Sequence, residues 1–510
     1  MERAPASIRT RRWDLALLWA YLVSLAFIRA GQMEERDPYW QIRAGAENLA
    51  GVPLARPDTW TWSGVEGNWY PNSPLWNMLL ALAYQAGGFW GFFLLSAANI
   101  VLLGVIVHLL GRRLGARRLP GLLGLLLVGA AAYPMLSARA TLAVQVILLF
   151  AVYLAIRIRD RATTLRAPVI IGVVFAAALV LSVLGNWIHL SFLLLSPALA
   201  VVWAGIWLLT PELSTRTRWT LILGGALGWG LGALLSPYGV VTGLERSRAV
   251  QEACQGLITE WSSPFDPNLS PRLAITFAFM LTVALLLAAL TVWWLVRKWR
   301  AGESVWELGA VALIGVPAAL AGVVATRFLG VSLLTLAPIA AAAATHAADR
   351  IRRRLEDWPR QDGIRAKLNE YSQGRFWRIV LSATIVLLSP GTVLLASQHG
   401  VPAEQAIAAR LPSGCQLFSR PGIGGPIVLL RPDVPVWMDG RADFFGREML
   451  LRGYSYYGGH SDDPVPAGTT CVLLDLEADA TPVLRERLQT SPEWTLEASE
   501  GSFELWLPSA

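Results

Sequence analysis

The sequence predicts a mainly α-helical, polytopic membrane protein with a small α/β domain at its C-terminal end. Three observations predict it. Of 510 residues, 54% are hydrophobic and 15% charged, and the mean hydropathy is +0.47, far above a soluble globular chain. Many apolar runs, such as ITFAFMLTVALLLAALTVWWLV, reach the roughly 20 residues that cross about 30 Å of hydrocarbon as a helix. Such runs lack the strict alternation of a transmembrane barrel, which excludes that architecture.

Taken in order, the runs predict about eleven helices, over 13–31, 89–111, 119–136, 140–157, 167–184, 190–209, 219–236, 273–296, 305–324, 328–346 and 379–396. The first reads as an uncleaved helix, because no small-residue cleavage site follows it. GRRLGARR, RIRDRATTLR, STRTR, VRKWR and the long segment from Asp349 to Arg378 separate alternate pairs of helices, and all are basic. The positive-inside rule therefore puts the N-terminus in the cytoplasm. The net charge of +7 is spread over these segments, so it speaks for membrane lipids as partners and against nucleic acid.

Outside lie a loop over 32–88, the turn GNWIH, a loop from Pro237 to Arg272, the short ATRF, and the tail. The 32–88 loop carries Trp40, Trp60, Trp62, Trp69 and Trp76. Its NSPLWNMLLALAYQAGG stretch is apolar but too short to span, which predicts an interfacial or re-entrant helix. The tail mixes helical patterns (AEQAIAARL, TPVLRERLQT) with strand-like runs (PIVLL, VPVWMDG, TTCVLLDL, FELWLP). The domain division is therefore 1–397 for the membrane part and 398–510 for an extracytoplasmic α/β domain. Cys254, Cys415 and Cys471 have no metal-ligand spacing. Whether Cys415 and Cys471 pair or stay separate thiols is open.

On this topology Asp37, Arg139, Asn186, His189, Ser236, Tyr238, Glu260, Trp261 and Arg327 all fall at the outer end. Ionisable groups at the mouth of a helix bundle face a partner or a polar cavity, although any one arginine there could be an interfacial anchor. Asp439 and Arg441 of MDGRADFF read as a turn and its ion pair. There is no P-loop, no GxGxxG after a strand and no HExxH, so a nucleotide-driven pump or a membrane metalloprotease has no support.

DPYWQIRAG followed by GVPLARPDTWTWSGVEGNWYPNSPLWNMLLALAYQAGG resembles the first outer loop of bacterial membrane proteins with the GT-C glycosyltransferase fold. There, Asp-x-Trp-Trp-His-x-Arg-x-Gly precedes a Pro-x-x-Asp-x-(Phe/Trp) stretch and a Trp-bearing amphipathic helix. LSARATLAVQV, NWIHLSF, LLSPYGV, ITEWSSPF, ATRFLGVSLLTLAP and VWMDGRADFFG extend the resemblance over nearly the whole chain. This chain has Tyr39 and Gln41 where the group commonly has Trp and His, an extra residue inside Asn-x-His, SPYG for Asn-Pro-Tyr-Gly, and no proline after Arg139.

The resemblance implies an enzyme of the bacterial cell envelope. It would move a sugar from a polyprenyl-phosphate carrier to the hydroxyl of a glycan, lipid or protein acceptor, at the outer face of the inner (plasma) membrane. Such chemistry needs one carboxylate to orient or deprotonate the acceptor hydroxyl; Asp37 is the candidate, with Glu35 and Asp58 as alternates. Cations stabilise the departing phosphate, and Arg139, His189 and Arg327 are the candidates. Asn186, Tyr238 and Glu260 are expected at the acceptor or in support. No metal-ligand set is assigned, although Glu260 could meet a divalent cation. The competing reading is a non-catalytic transporter or assembly partner that keeps the fold. The chain lacks the paired halves common in transporters, which favours the enzyme.

Overall fold

Apolar runs without a side-chain period close their backbone hydrogen bonds only as helices. The computed structural model describes residues 8–31, 36–136, 139–162, 164–356, 379, 382–383, 405–477 and 481–509. The bundle comprises α1 (Ile8–Gly31), α3 (Pro74–Arg113), α4 (Arg118–Ala132), α5 (Ala140–Arg161), α6 (Ala167–Ile188), α7 (Phe192–Leu208), α8 (Thr215–Leu234), α10 (Pro271–Arg300), α11 (Trp306–Ala321) and α12 (Arg327–Glu356). Each expected run from 13–31 to 328–346 coincides with one of these helices. The run 379–396 lies almost wholly outside the described residues. Among the described residues five helices are long and apolar enough to cross a membrane, or six if α8 and α9 (Gly239–Cys254), bent by 70°, form one span. α3 breaks at Gly87 and Gly88, the latter at φ 57, a left-handed geometry that glycine adopts at little cost. The break separates the short amphipathic helix expected after residue 72 from the long apolar one.

Several polar groups inside the bundle pair across helices. Gln145 Nε2 donates to Thr335 Oγ1 at 2.9 Å, Ser182 to Trp229 O at 2.9 Å, and Ser332 to Gly315 O at 3.0 Å. Arginines at one end form ion pairs between neighbouring helix ends: Arg113 with Asp160 and with Glu307 at 3.3 Å, and Arg159 with Glu212 at 3.5 Å. Basic segments expected on one side of the membrane thus share one end of the bundle.

The opposite end is covered by two chain regions that pack as one layer. The first is α2 (Asp37–Leu49) with β1 (Arg56–Pro57) antiparallel to β2 (Asn68–Trp69). The second is the tail: α13 (Gln405–Ala408), β3 (Leu417–Ser419), α14 (Pro421–Leu430), α15 (Ala442–Tyr457), β4 (Cys471–Asp475), α16 (Thr481–Thr490), β5 (Trp494–Glu500) and β6 (Phe503–Pro508). Its sheet runs β3-β4-β6-β5, with β3 and β4 parallel and the other pairs antiparallel. Cys415 and Cys471, which the sequence left open, are joined by a disulfide. PIVLL, expected as a strand, lies in α14. That helix is buried around most of its circumference, and a short fully buried apolar run has no period that distinguishes helix from strand.

The outer loop extends the tail's pairing. Trp62 N donates to Val436 O and Val436 N to Trp60 O, both at 3.1 Å, and Arg43 donates to Val428 O at 2.9 Å. Arg441 is the knot. Its guanidinium is 1% exposed and ion-paired with Asp58 at 2.7 Å and Asp439 at 2.8 Å, and it lies over the rings of Trp60 and Trp69 at 4.3 and 4.7 Å. Arg441→Met strands two buried carboxylates and is expected to destabilise the outer layer by about 3–5 kcal/mol. Denaturant unfolding followed by tryptophan fluorescence measures this. Adding Asp58→Asn and Asp439→Asn is expected to restore most of the loss, because no unpaired charge then remains.

Candidate active site

Asp37 opens α2, where the helix dipole favours a carboxylate. Its Oδ1 accepts from Trp40 Nε1 at 3.3 Å, and its Oδ2 lies 3.5 Å from Arg139 NH2. Arg139 stands in extended conformation just before α5 and pairs through NH1 with Glu260. One guanidinium therefore bridges two carboxylates. Glu260 sits in a single 3-10 turn, Thr259–Trp261. The buried Thr326 fixes that turn, its hydroxyl donating to Thr259 O at 3.2 Å or Glu260 O at 3.1 Å, and its N–H to Ser262 O at 3.0 Å.

The next residue, Arg327, starts α12 and lies 3.9 Å from the centre of the Trp261 ring. Among the described residues no carboxylate pairs with it. His189 lies between α6 and α7, and its Nδ1 accepts from Ser191 N at 3.0 Å, which leaves the proton on Nε2. Burial, with Arg327 and Arg139 adding to it, pushes its pKa down to about 3. That direction favours the neutral imidazole, donating through Nε2, over the cation that the sequence suggested.

Asp37, Arg139, His189, Glu260 and Arg327 line one cavity of about 810 Å³. Leu194, Leu195, Phe328 and Val331 give the same cavity an apolar flank, with Leu194 60% exposed. The other sequence candidates fall elsewhere. Asp58 is buried against Arg441 and also accepts from Thr61 N at 3.1 Å, so its role is to hold the outer layer. Asn186 is wholly buried inside α6, donating to Ser182 O at 2.8 Å. Tyr238 donates to Pro71 O at 2.9 Å and packs on Tyr70, behind the cavity wall. Glu35 lies outside the described residues.

The tail contributes residues that the sequence did not assign to the site. Asp439, Gly440 and Asp443 all line the cavity. A Cβ on Gly440 would lie 2.6 Å from Asp37 Oδ1 and 3.0 Å from Trp40 Nε1, so only glycine leaves the Asp37 carboxylate in place. Asp443 accepts from Trp69 Nε1 at 3.4 Å. Burial raises its pKa to about 6, against the opposing pull of Arg441. In sequence Asp443 looks like an ordinary first-turn acid of α15, and nothing nearby marks it as a cavity residue. Gln41 and Arg246 also line the cavity, the latter 4.2 Å from the Tyr70 ring centre.

The carboxylates of Asp37 and Glu260 are both held by the Arg139 guanidinium. No group of three or more His, Cys, Asp or Glu that could hold a metal ion occurs among the described residues. With both of these carboxylates taken up by a guanidinium, the described residues do not fit a divalent cation.

No protein-family model and no curated protein matches the chain. Solved structures do. Archaeal oligosaccharyltransferase AglB from Archaeoglobus fulgidus, in complex with an inhibitory peptide and a dolichol-phosphate, matches over 99% of this chain and 75% of that one, at 12% identity and TM-score 0.56. The Archaeoglobus fulgidus oligosaccharyltransferase tethered to an acceptor peptide with the NVT sequon matches over 98% and 74%, at 11% identity and TM-score 0.52. ArnT from Cupriavidus metallidurans bound to undecaprenyl phosphate matches over 98% of both chains, at 12% identity and TM-score 0.56. With its helix bundle, its outer layer and a polar cavity between them, the chain has the GT-C glycosyltransferase fold that its loop motifs resemble.

Proposed function

We propose that this protein is a membrane glycosyltransferase that moves a sugar from a polyprenyl-phosphate carrier to an acceptor hydroxyl at the outer face of the plasma membrane. One observation carries the reading: a single cavity holds a positioned carboxylate, Asp37, and an arginine, Arg327, with no carboxylate partner among the described residues, and has an apolar flank. That combination suits a lipid phosphate. The polyprenyl chain would lie along Leu194, Phe328 and Val331, with the phosphate at Arg327 and the Nε2–H of His189. The neighbours' bound dolichol-phosphate and undecaprenyl phosphate support a carrier of this class.

In the reaction the acceptor hydroxyl attacks the anomeric carbon while Asp37 takes its proton. A new C–O bond forms, and the bond from carbon to phosphate oxygen breaks, its electron pair leaving with the phosphate. Arg327 offers the departing phosphate a planar pair of donors that stay charged beside lipid. Arg139 is committed to Asp37 and Glu260 and orients the base. The outward orientation of the tail rests on the basic end of the bundle, which belongs in the cytoplasm, and on the Cys415–Cys471 disulfide, a bond of oxidising compartments.

Release of free polyprenyl phosphate is common to every such donor, so it can be assayed before the sugar is identified. Protein in liposomes is offered polyprenyl-phosphate-linked sugars and an acceptor extract from bacterial membranes. Asp37→Asn is expected to cut release by roughly 10²–10⁴-fold, the range for loss of a general base, while undecaprenyl phosphate still binds. Full activity in this variant would sink the proposal.

Arg327→Lys keeps the charge but loses the paired hydrogen bonds, so undecaprenyl phosphate affinity is expected to fall. Arg139→Lys is expected to lower the release rate more than that affinity. Equal affinity loss in both would return Arg139 to the phosphate. Gly440→Ala displaces the Asp37 carboxylate by its Cβ, and is expected to slow release at least ten-fold with carrier binding kept. An unchanged rate would show that the base does not depend on this contact.

A further inference from the structure

Gln41 is a polar group of the cavity wall that the chemistry above leaves unused. It follows Asp37 by four residues on α2 and so shares its face. The residue is 5% exposed and lines the cavity, and its Oε1 is buried with no hydrogen-bond donor among the described residues. A buried amide oxygen without a donor is costly, and an apolar side chain of the same shape would avoid the cost. Neither the helix nor its packing asks for an amide here. Ile42, the adjacent residue, is apolar and almost fully buried. Asp37 and Trp40 are already bonded to one another.

The amide's chemistry narrows what could satisfy it. It offers one acceptor and two donors on a soft terminal torsion, and a hydroxyl both donates and accepts. Side chains four apart on a helix have Cβ atoms about 5–6 Å from each other, which sets Gln41 beside the reacting bond instead of at it. The acceptor needs to present a single hydroxyl there, and Asp37 takes that one. The sugar presents several, carried on the ring whose anomeric carbon reacts.

We propose that Gln41 is a donor-binding residue that hydrogen-bonds a hydroxyl of the transferred sugar, so that the carrier is recognised by its sugar as well as by its phosphate. This rests on the sugar-transfer reading.

The test is Gln41→Met, a substitution of similar length that removes the orphaned oxygen. Its thermal midpoint is expected to equal or exceed that of the unaltered protein. Affinity for bare undecaprenyl phosphate should stay the same, while affinity for a polyprenyl-phosphate-linked sugar that the unaltered protein consumes should fall roughly ten-fold. Unchanged affinity for both carriers overturns the assignment, as does an equal loss on both. A normal affinity for the sugar-linked carrier with a raised KM for acceptor moves Gln41 to the acceptor and likewise overturns it. Asp37→Asn, run alongside, should bind the sugar-linked carrier normally and fail to release product. If it releases at full rate, the sugar-transfer reading itself fails, a result that Gln41→Met cannot mimic.

Discussion

The burial of one guanidinium, Arg441, holds the outer layer together, and the cavity depends on that layer. A cation at 1% exposure is tolerable only with close counter-charges. Arg441 draws one from the outer loop, Asp58, and one from its own turn, Asp439. The rings of Trp60 and Trp69 cover its faces. Because Asp439 and Gly440 belong to that same turn and line the cavity, fixing the guanidinium also fixes the wall beside Asp37. A tail that looks in sequence like an appended domain is thus part of the site. Gly440 is where the two meet: its missing side chain is the space in which the Asp37 carboxylate sits.

The placement of the other polar groups follows from what a helix bundle in lipid can bear. Helix interiors satisfy their own backbone, and only their ends leave groups unpaired. Polar function is least costly at those ends. Asp37 begins α2, Arg139 precedes α5, His189 follows α6 and Arg327 begins α12. An acid at a helix N-terminus is favourable, but an arginine there opposes the dipole. Arg139 has that opposition relieved by two carboxylates. For Arg327 no carboxylate does so among the described residues, so an anion bound at the start of α12 would gain from the guanidinium and from the helix end together.

How far these features were legible depends on whether they are local in sequence. The apolar runs, the basic segments and the break at Gly87–Gly88 are, and the helices fall where the runs predict. Asp37, Arg139, His189 and Arg327 could be grouped because all sit at helix ends that the order of the apolar runs assigns to one end of the bundle. Three things escaped. PIVLL became helix because full burial erased its period. Asp58 and Asn186 carry polar groups whose partners, Arg441 and Ser182, are set by packing; Asp58 looked as available as Asp37. Asp443 reaches the cavity through the docking of α15 against the Arg441 knot and against the end of α9, contacts between segments far apart in sequence. The disulfide was open for a similar reason: β3 and β4 lie side by side although 56 residues separate Cys415 from Cys471.

Charge compensation in the cavity is uneven, and the unevenness has a direction. Asp37 and Glu260 share Arg139, Asp439 is neutralised by Arg441, and the half-buried Asp443 has a raised pKa. Each of these four acids therefore has its charge met by an arginine or its pKa raised, while Glu66, which also lines the cavity, is exposed. Arg327 and Arg246, each resting on an aromatic face that stabilises but does not neutralise it, line the cavity with no carboxylate partner among the described residues. A ligand entering such a cavity lowers the energy by bringing negative charge to the α12 end and hydroxyls to the α2 end, where Gln41 Oε1 has no donor among the described residues. A sugar phosphate carries its charge and its hydroxyls in that arrangement, and departure of the phosphate increases the charge at the end where the protein has left it unbalanced.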